Sequence, residues 1–194
     1  SVCVTKHLGT KGQYLVDMAT DNNAVIAING GGFVDPNYNS LGGIPQGTVI
    51  KNGKIITNRT YKKTGGIIGF TKDNKLILAR MTANEAIKNG VRDAVTFGPF
   101  LIVNGKPLEI VGDPWGQAPR VAIGQTKDGI ILFLVVDGEN YINGASLQDM
   151  VDVLQKYGAY NAANLDGGQS SSLVVNNKLY NNPPPAAKRQ GGRY

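Results

Sequence analysis

The sequence predicts an α+β fold: a single domain built on a mixed, hairpin-rich β-sheet with two or three packed helices. Three observations carry this expectation. Short β-prone runs are joined again and again by tight dipeptides such as Asn52-Gly53, Asn104-Gly105 and Asp128-Gly129, and Asn-Gly or Asp-Gly between apolar runs is a strong hairpin signal. Only a few segments have helical periodicity, two of them opened by a capping-box spacing. Strands and helices do not alternate in the regular manner of a parallel βαβ sheet. The length of 194 residues suits one domain, 1–194. We read it as excised from a longer chain, because strand-like residues follow Ser1 at once and the sequence stops at Arg193-Tyr194.

In order along the chain, residues 2–5 read as a strand. Thr10 is placed to cap a helix whose apolar face is Tyr14, Leu15, Met18 and Ala19. Residues 24–28 have the β-branched content of a buried strand, which empties into Asn29-Gly30-Gly31-Gly32-Phe33-Val34-Asp35. Residues 47–50 and 54–57 form a hairpin about Asn52-Gly53, and residues 66–71 and 75–78 a second about Lys72-Asp73-Asn74. Thr82 and Glu85 have the capping-box spacing of a short helix that Gly90 stops. Residues 95–103 read as one strand interrupted by Gly98-Pro99, hence bulged or at an edge. Residues 112–119 are a loop in which Trp115 is either an anchor or a sugar-stacking platform. Residues 120–124 and 130–136 form a further hairpin, and the unbroken apolar character of the second strand predicts a central position. Ser146 and Asp149 open the best-defined helix, with Leu147, Met150, Val151, Leu154 and Tyr157 at helical spacing and Gly158 after it. A strand then ends at Leu165, another covers residues 173–175, and Asn181 to Pro185 form a stiff extended loop.

Composition excludes several chemistries. One His and one Cys make a zinc site of imidazole and thiolate ligands untenable, and a Ser-His-Asp triad would depend on His7 alone. No metal and no cofactor is called for. The glycine clusters lack the lysine of a phosphate-binding Walker loop and the setting of a dinucleotide fingerprint. A net charge of +6 favours anionic partners. The scattered basic residues and sparse aromatics argue against a nucleic-acid groove. No apolar run reaches the length of a membrane span.

The carboxylates narrow by elimination. Of fourteen, Asp73 and Asp128 fall in hairpin turns, and Asp17, Asp21, Glu85, Asp149 and Asp152 on or beside helices. Asp93, Glu109 and Asp113 read as loop residues without companions. Asp35, Asp137, Glu139 and Asp166 remain, each where an apolar strand gives way to polar or glycine-rich chain. The stretch Asn164-Leu165-Asp166-Gly167-Gly168-Gln169-Ser170-Ser171-Ser172 is the most suggestive. It reads either as a plain Asp-Gly turn or as a carboxylate on a rigid strand end beside a backbone cradle. The triple glycine reads either as a ligand cradle or as a loop packed against its own sheet. Arg120, opening a strand, is either a surface arginine or an anchor that grips two oxygens of an anion.

In order, Asn29-Gly30-Gly31-Gly32-Phe33, Pro119-Arg120-Val121-Ala122-Ile123-Gly124, Val136-Asp137-Gly138, Gly144-Ala145-Ser146-Leu147, Asn164-Leu165-Asp166-Gly167-Gly168, Asn182-Pro183 and a late arginine resemble the phosphodiester glycosidase family. This is the family of the N-acetylglucosamine-1-phosphodiester α-N-acetylglucosaminidase, with bacterial relatives described as exopolysaccharide-related. The resemblance spans about residues 25–194. It implies an α+β fold, an extracellular or cell-envelope location, and hydrolysis of a small or polymeric sugar-1-phosphodiester. Two departures stand out: Gln169 replaces a small residue, and relatives continue past residue 194 into a further strand.

Joined to the residue chemistry, the resemblance assigns Asp166 as nucleophile or general base, with Asp137, Glu139 or Asp35 as its partner. Arg120 would hold the phosphate with Arg189 or Arg193 as helper. Asn29, Gly30, Gly31, Gly32, Gly167, Gly168, Ser170 and Asn182 would line the substrate cradle. The competing expectations are a non-catalytic module for anionic wall glycans or teichoic-type polymers, and a serine hydrolase built on Ser170 to Ser172.

Overall fold

The computed structural model describes residues 1–38, 40–61, 65–139 and 143–183. Its strands fall into three antiparallel sheets. The first contains β2 (Thr48–Lys51), β3 (Lys54–Asn58), β4 (Gly66–Thr71), β5 (Leu76–Ala79) and β6 (Val91–Phe97), in the order β3-β2-β6-β4-β5. The second contains β7 (Phe100–Val103), β8 (Lys106–Pro107), β9 (Arg120–Thr126), β10 (Ile131–Val136) and β11 (Ala159–Leu165), in the order β10-β9-β11-β7-β8. A small third sheet joins β1 (Ile26–Ile28), β12 (Leu173–Val175) and β13 (Lys178–Leu179).

Strand alternation builds the layers. In β4, Ile67 faces outward onto helix α2 (Ala83–Lys88) with Ile50 and Ala86, while its neighbour Ile68 faces inward. There Ile68 and Leu76 meet Val121, Ala163 and Leu165 of the second sheet. Successive side chains point to opposite faces, so both faces of one strand can be apolar when each is covered. On the far side of the second sheet, helix α3 (Leu147–Lys156) buries Leu147, Met150, Val151 and Leu154 against Ala122 and Ala162. The order is helix, sheet, sheet, helix. Helix α1 (Leu15–Asp21) covers the small sheet through Leu15, Ala19 and Val174. The two predicted capping boxes form, Thr82 with Glu85 and Ser146 with Asp149.

Several elements differ from expectation. Residues 2–5 are not a strand. Tyr14, not Thr10, precedes α1, and it is exposed; the Thr10 hydroxyl instead donates to His7 O. The run at 24–28 is not buried: only Ile26–Ile28 pairs, with β12, and Val25 and Ile26 face outward. The strand expected over 95–103 is two strands in different sheets, with the chain passing between them at Gly98-Pro99. β10 lies at the edge of its sheet with Ile131 and Phe133 exposed, because an apolar run specifies faces but not pairing partners. Trp115 is 68% exposed, so it is not a buried anchor of its loop.

Pairing positions the site. Val136 lies opposite Arg120 and Leu165 opposite Val121, so the ends of β10 and β11 and the start of β9 share one edge. In the first sheet Thr48 pairs with Asn58 and Gly66 with Phe97. The two ends meet at Gly98-Pro99, whose carbonyls accept from the Asn164 side chain and main chain at 3.1 and 3.0 Å.

Candidate active site

Strand β11 buries Ala162 to Leu165 and delivers Asp166 half-buried at its end. The turn there is fixed by Asn29, which is fully buried at the end of β1. Its Nδ2 donates to Asp166 O at 2.7 Å, and its Oδ1 accepts from Ser172 N at 3.0 Å. Asp166 N donates in turn to Gly30 O at 3.0 Å. Two strand ends remote in sequence are thus clamped by main-chain and amide hydrogen bonds.

The glycines have identifiable causes. A Cβ on Gly167 would lie 2.7 Å from Pro119 O, the carbonyl that accepts from Gly168 N at 2.8 Å. Gly168 has φ +59, the left-handed region open to glycine. A Cβ on Gly31 would lie 2.9 Å from Thr96 O and one on Gly32 3.0 Å from the Phe97 ring. Packing against the end of β6 therefore explains the bare backbone at Gly31 and Gly32 without a ligand. Gly30 is under no such constraint, at 3.5 Å from Val95.

Asp137 follows β10 and is held by Asn181 and Asn182. Its Oδ1 accepts from Asn181 Nδ2 at 2.6 Å and its Oδ2 from Asn182 N at 2.7 Å. Asn181 also donates to Ser171 O and accepts from Leu173 N, which ties Asp137 to the serine run after Asp166. Asp35 is placed differently: its Oδ1 accepts from Ser40 N in a local turn. Glu139 is exposed. Arg189 lies outside the described residues.

Arg120 does not stand open to an anion. It is 6% exposed. Its Nε donates to Ala145 O at 3.0 Å, and its Nη2 donates to Asp113 Oδ1 at 2.7 Å and to Gly116 O at 2.8 Å. Asp113, which sequence reasoning set aside as a lone loop residue, also accepts from Leu147 N at the start of α3 through Oδ2. Asp93 was set aside likewise, yet it is buried on β6 and paired with Arg92 at 2.7 Å. The pairing of Arg120 with Asp113 closes a loop in the fold, whereas Asp93 pairs with its sequence neighbour and the fold adds only Asn52 N, which donates to its Oδ1 at 3.1 Å.

Tyr61 is a residue that the sequence alone does not single out. Burial first, and then the negative charge of Asp166, push its phenol up to about 12. It stays protonated across the neutral range and places a hydroxyl donor within electrostatic reach of that carboxylate. Its ring centroid lies 6.4 Å from that of Phe97.

A family model described as phosphodiester glycosidase matches residues 22–193. The chain belongs to the phosphodiester glycosidase family. A curated relative, the SPbeta prophage-derived uncharacterized protein YomE of Bacillus subtilis (strain 168), is 29% identical over 172 residues. That match takes in 84% of this chain and 26% of YomE, so the chain spans about a quarter of that relative. Among solved structures, the zebrafish N-acetylglucosamine-1-phosphodiester alpha-N-acetylglucosaminidase catalytic domain, auto-inhibited by its pro-peptide, superposes with a TM-score of 0.74 at 23% identity, covering 89% of this chain and 60% of that one. A hypothetical protein from Synechocystis superposes at 0.63 with 19% identity, covering 95% and 53%. These two likenesses concern the fold.

In this phosphodiester glycosidase domain the serines are poor nucleophile candidates. Ser171 and Ser172 are fully buried and Ser170 nearly so, while His7 is exposed near the start of the chain. Among the described residues no group of three or more His, Cys, Asp or Glu could hold a metal ion, and no helix is long and apolar enough to cross a membrane.

Proposed function

We propose that this domain hydrolyses a sugar-1-phosphodiester, with an N-acetylglucosamine-like sugar and a small or polymeric phosphate-linked remainder, outside the cell or at its envelope. Water oxygen adds to the anomeric carbon, the bond from that carbon to the phosphate oxygen breaks, and its electron pair leaves with the phosphomonoester. The water proton ends on the phosphate or in solvent. A phosphomonoester is a weak base, so the reaction needs a carboxylate more than a strong general acid. Asp166 fills that role, as nucleophile or as the base for water. Asp137, held by Asn181 and Asn182 and tied through Asn181 to the serine run after Asp166, is its companion in this reading, in preference to Asp35 or Glu139. Gly30, Gly167, Gly168, Ser170 and Asn182 border the sugar. Arg120 acts as a positioning residue, fixing the loop at Asp113 and Gly116 beside the strand that abuts Gly167.

The observation that carries this reading is a half-buried Asp166 at a strand end, its main-chain oxygen clamped by Asn29, in a chain of this family. The experiment is turnover of a chromogenic N-acetylglucosamine-1-phosphodiester. Wild type should release the sugar, and Asp166→Asn should lower kcat roughly 10²–10⁴-fold with an unchanged melting transition. The net charge of +6 favours one other reading, a binding module for anionic wall glycans. Tight polymer binding by a wild type that turns nothing over would select it.

A further inference from the structure

The engagement of Arg120 leaves the phosphate of the proposed substrate without its expected cation, and the structure supplies another. A groove of about 550 Å³ opens at the end of the first sheet, lined by Arg59, Tyr61, Arg80, Thr48 and Thr96 among others. We propose that this groove is the subsite for the phosphate arm of the substrate, with Arg59 and Arg80 as its cations and Tyr61 at the junction with Asp166. This rests on the hydrolase reading for the identity of the ligand, but not for the presence of an anion site.

Four observations support it. Arg59 and Arg80 are both exposed, and neither takes part in the ion pairs among the described residues, which join Lys6 to Asp21, Arg92 to Asp93 and Arg120 to Asp113. Among the described residues the lining contains no carboxylate. The nearby Glu85 is turned back onto the Thr82 main-chain N–H and hydroxyl as half of the α2 capping box. Two guanidinium groups without acidic partners in a concave polar surface have the chemistry that grips phosphate oxygens in pairs.

The groove is also anchored. Arg59 N donates to Gly47 O at 3.0 Å, continuing the β2–β3 pairing, and Thr48 Oγ1 donates to Asn58 Oδ1 at 3.1 Å. Finally, contacts link it to the strand that carries Asp166. Gly65, in the groove wall, sits so close to the Gly98 backbone that a Cβ would lie 2.8 Å from Gly98 Cα, and Gly98 O accepts from Asn164 Nδ2 two residues before Asp166. Tyr61 belongs to the groove lining and also feels the Asp166 charge. A sugar held at Asp166 would project its phosphate toward this basic surface.

The test is calorimetric binding of N-acetylglucosamine 1-phosphate, with methyl N-acetylglucosaminide as the neutral comparator, and turnover of the chromogenic phosphodiester in parallel. The proteins are wild type, the double variant R59Q/R80Q, and R120A. A charge-matched control, K51Q/K54Q, removes two cations from the far end of the same hairpin. Wild type and the lysine control should bind the phosphate-bearing sugar about tenfold or more tighter than the neutral one, as charge-assisted contacts require. R59Q/R80Q should erase that preference while keeping its melting temperature. Preference retained by R59Q/R80Q, lost equally in K51Q/K54Q, lost only in R120A that still folds, or absent from wild type would each overturn the proposal. If wild type turns nothing over but its phosphate preference still follows the two arginines, the groove stands and the hydrolase reading falls. Turnover untouched by R59Q/R80Q would retain the hydrolase and remove the groove.

Discussion

The side chain of Asn29 donates to the main-chain oxygen of Asp166 at 2.7 Å across 137 positions of sequence. With its oxygen it also accepts from Ser172 N, so one buried amide spans both ends of the turn that presents the carboxylate. Asn29→Ala would take a donor from the Asp166 carbonyl and the acceptor from the buried Ser172 N–H. Each such loss costs about 1–3 kcal/mol, so the variant should lose about 2–6 kcal/mol, read as a lower urea midpoint at unchanged slope. Asn29→Asp should also lose stability, because it keeps the acceptor but removes the donor and sets a second negative charge beside Asp166. A wild-type midpoint in both variants would show that the clamp does not hold the turn.

The pair between Arg120 and Asp113 is nearly enclosed, and its members also bind Ala145, Gly116 and the start of α3. Removing one partner of a buried ion pair leaves the other uncompensated, at about 3–5 kcal/mol. Arg120→Ala and Asp113→Ala should each cost that much. The double variant should cost clearly less than their sum, since residues in contact couple. Additive losses in denaturant titration would contradict the coupling. An Arg120→Ala protein of native stability that no longer turns over the phosphodiester would restore Arg120 as a direct phosphate ligand.

Tyr61 gives a prediction in pH. Its folded pKa, about 12, stands above the ordinary value of 10.0. Below pH 10 the phenol is neutral folded and unfolded, and its environment contributes its full stability. Between 10 and 12 the unfolded chain ionises first, so that contribution is lost as pH rises. In spectrophotometric titration of the native protein a late tyrosine step should appear, and Tyr61→Phe should remove it. Asp166→Asn should move the step downward, because the carboxylate is the second cause of the shift after burial. A step that Asp166→Asn leaves in place would separate the two residues.

What was legible in the sequence is what local chemistry decides. Asn52 and Gly53 take φ of 50 and 72, the conformation such a hairpin turn demands, and the two capping boxes needed only residues three apart. The end of β11 at Leu165 was readable because an apolar run meets Asp-Gly-Gly. Sheet membership was not readable. Residues on either side of Gly98-Pro99 form a continuous β-prone run, and only long-range pairing assigns Phe97 to one sheet and Phe100 to the other. The edge position of β10 was hidden for the same reason. In the site, Asp166 and Asn29 stood out by setting, but Asp113 and Tyr61 did not. Each acquires its meaning from a neighbour supplied by the tertiary fold: Arg120 across a loop for one, Asp166 for the other.

The hydroxyls of Ser171 and Ser172 supply a final prediction. Both are buried, and neither Oγ has a hydrogen-bond partner among the described residues. A buried hydroxyl without a partner carries a desolvation penalty of about 1–3 kcal/mol, and replacing it by a methyl hydrogen removes that penalty while leaving only a small void. Ser171→Ala and Ser172→Ala should therefore leave stability within about 1 kcal/mol of wild type in either direction. Their main-chain groups, which carry the bonds to Gly168, Asn29 and Asn181, are untouched by the substitution. Turnover of the phosphodiester should persist in both. Its loss in a variant that melts like wild type would put a serine oxygen in the chemistry and displace the carboxylate reading of Asp166.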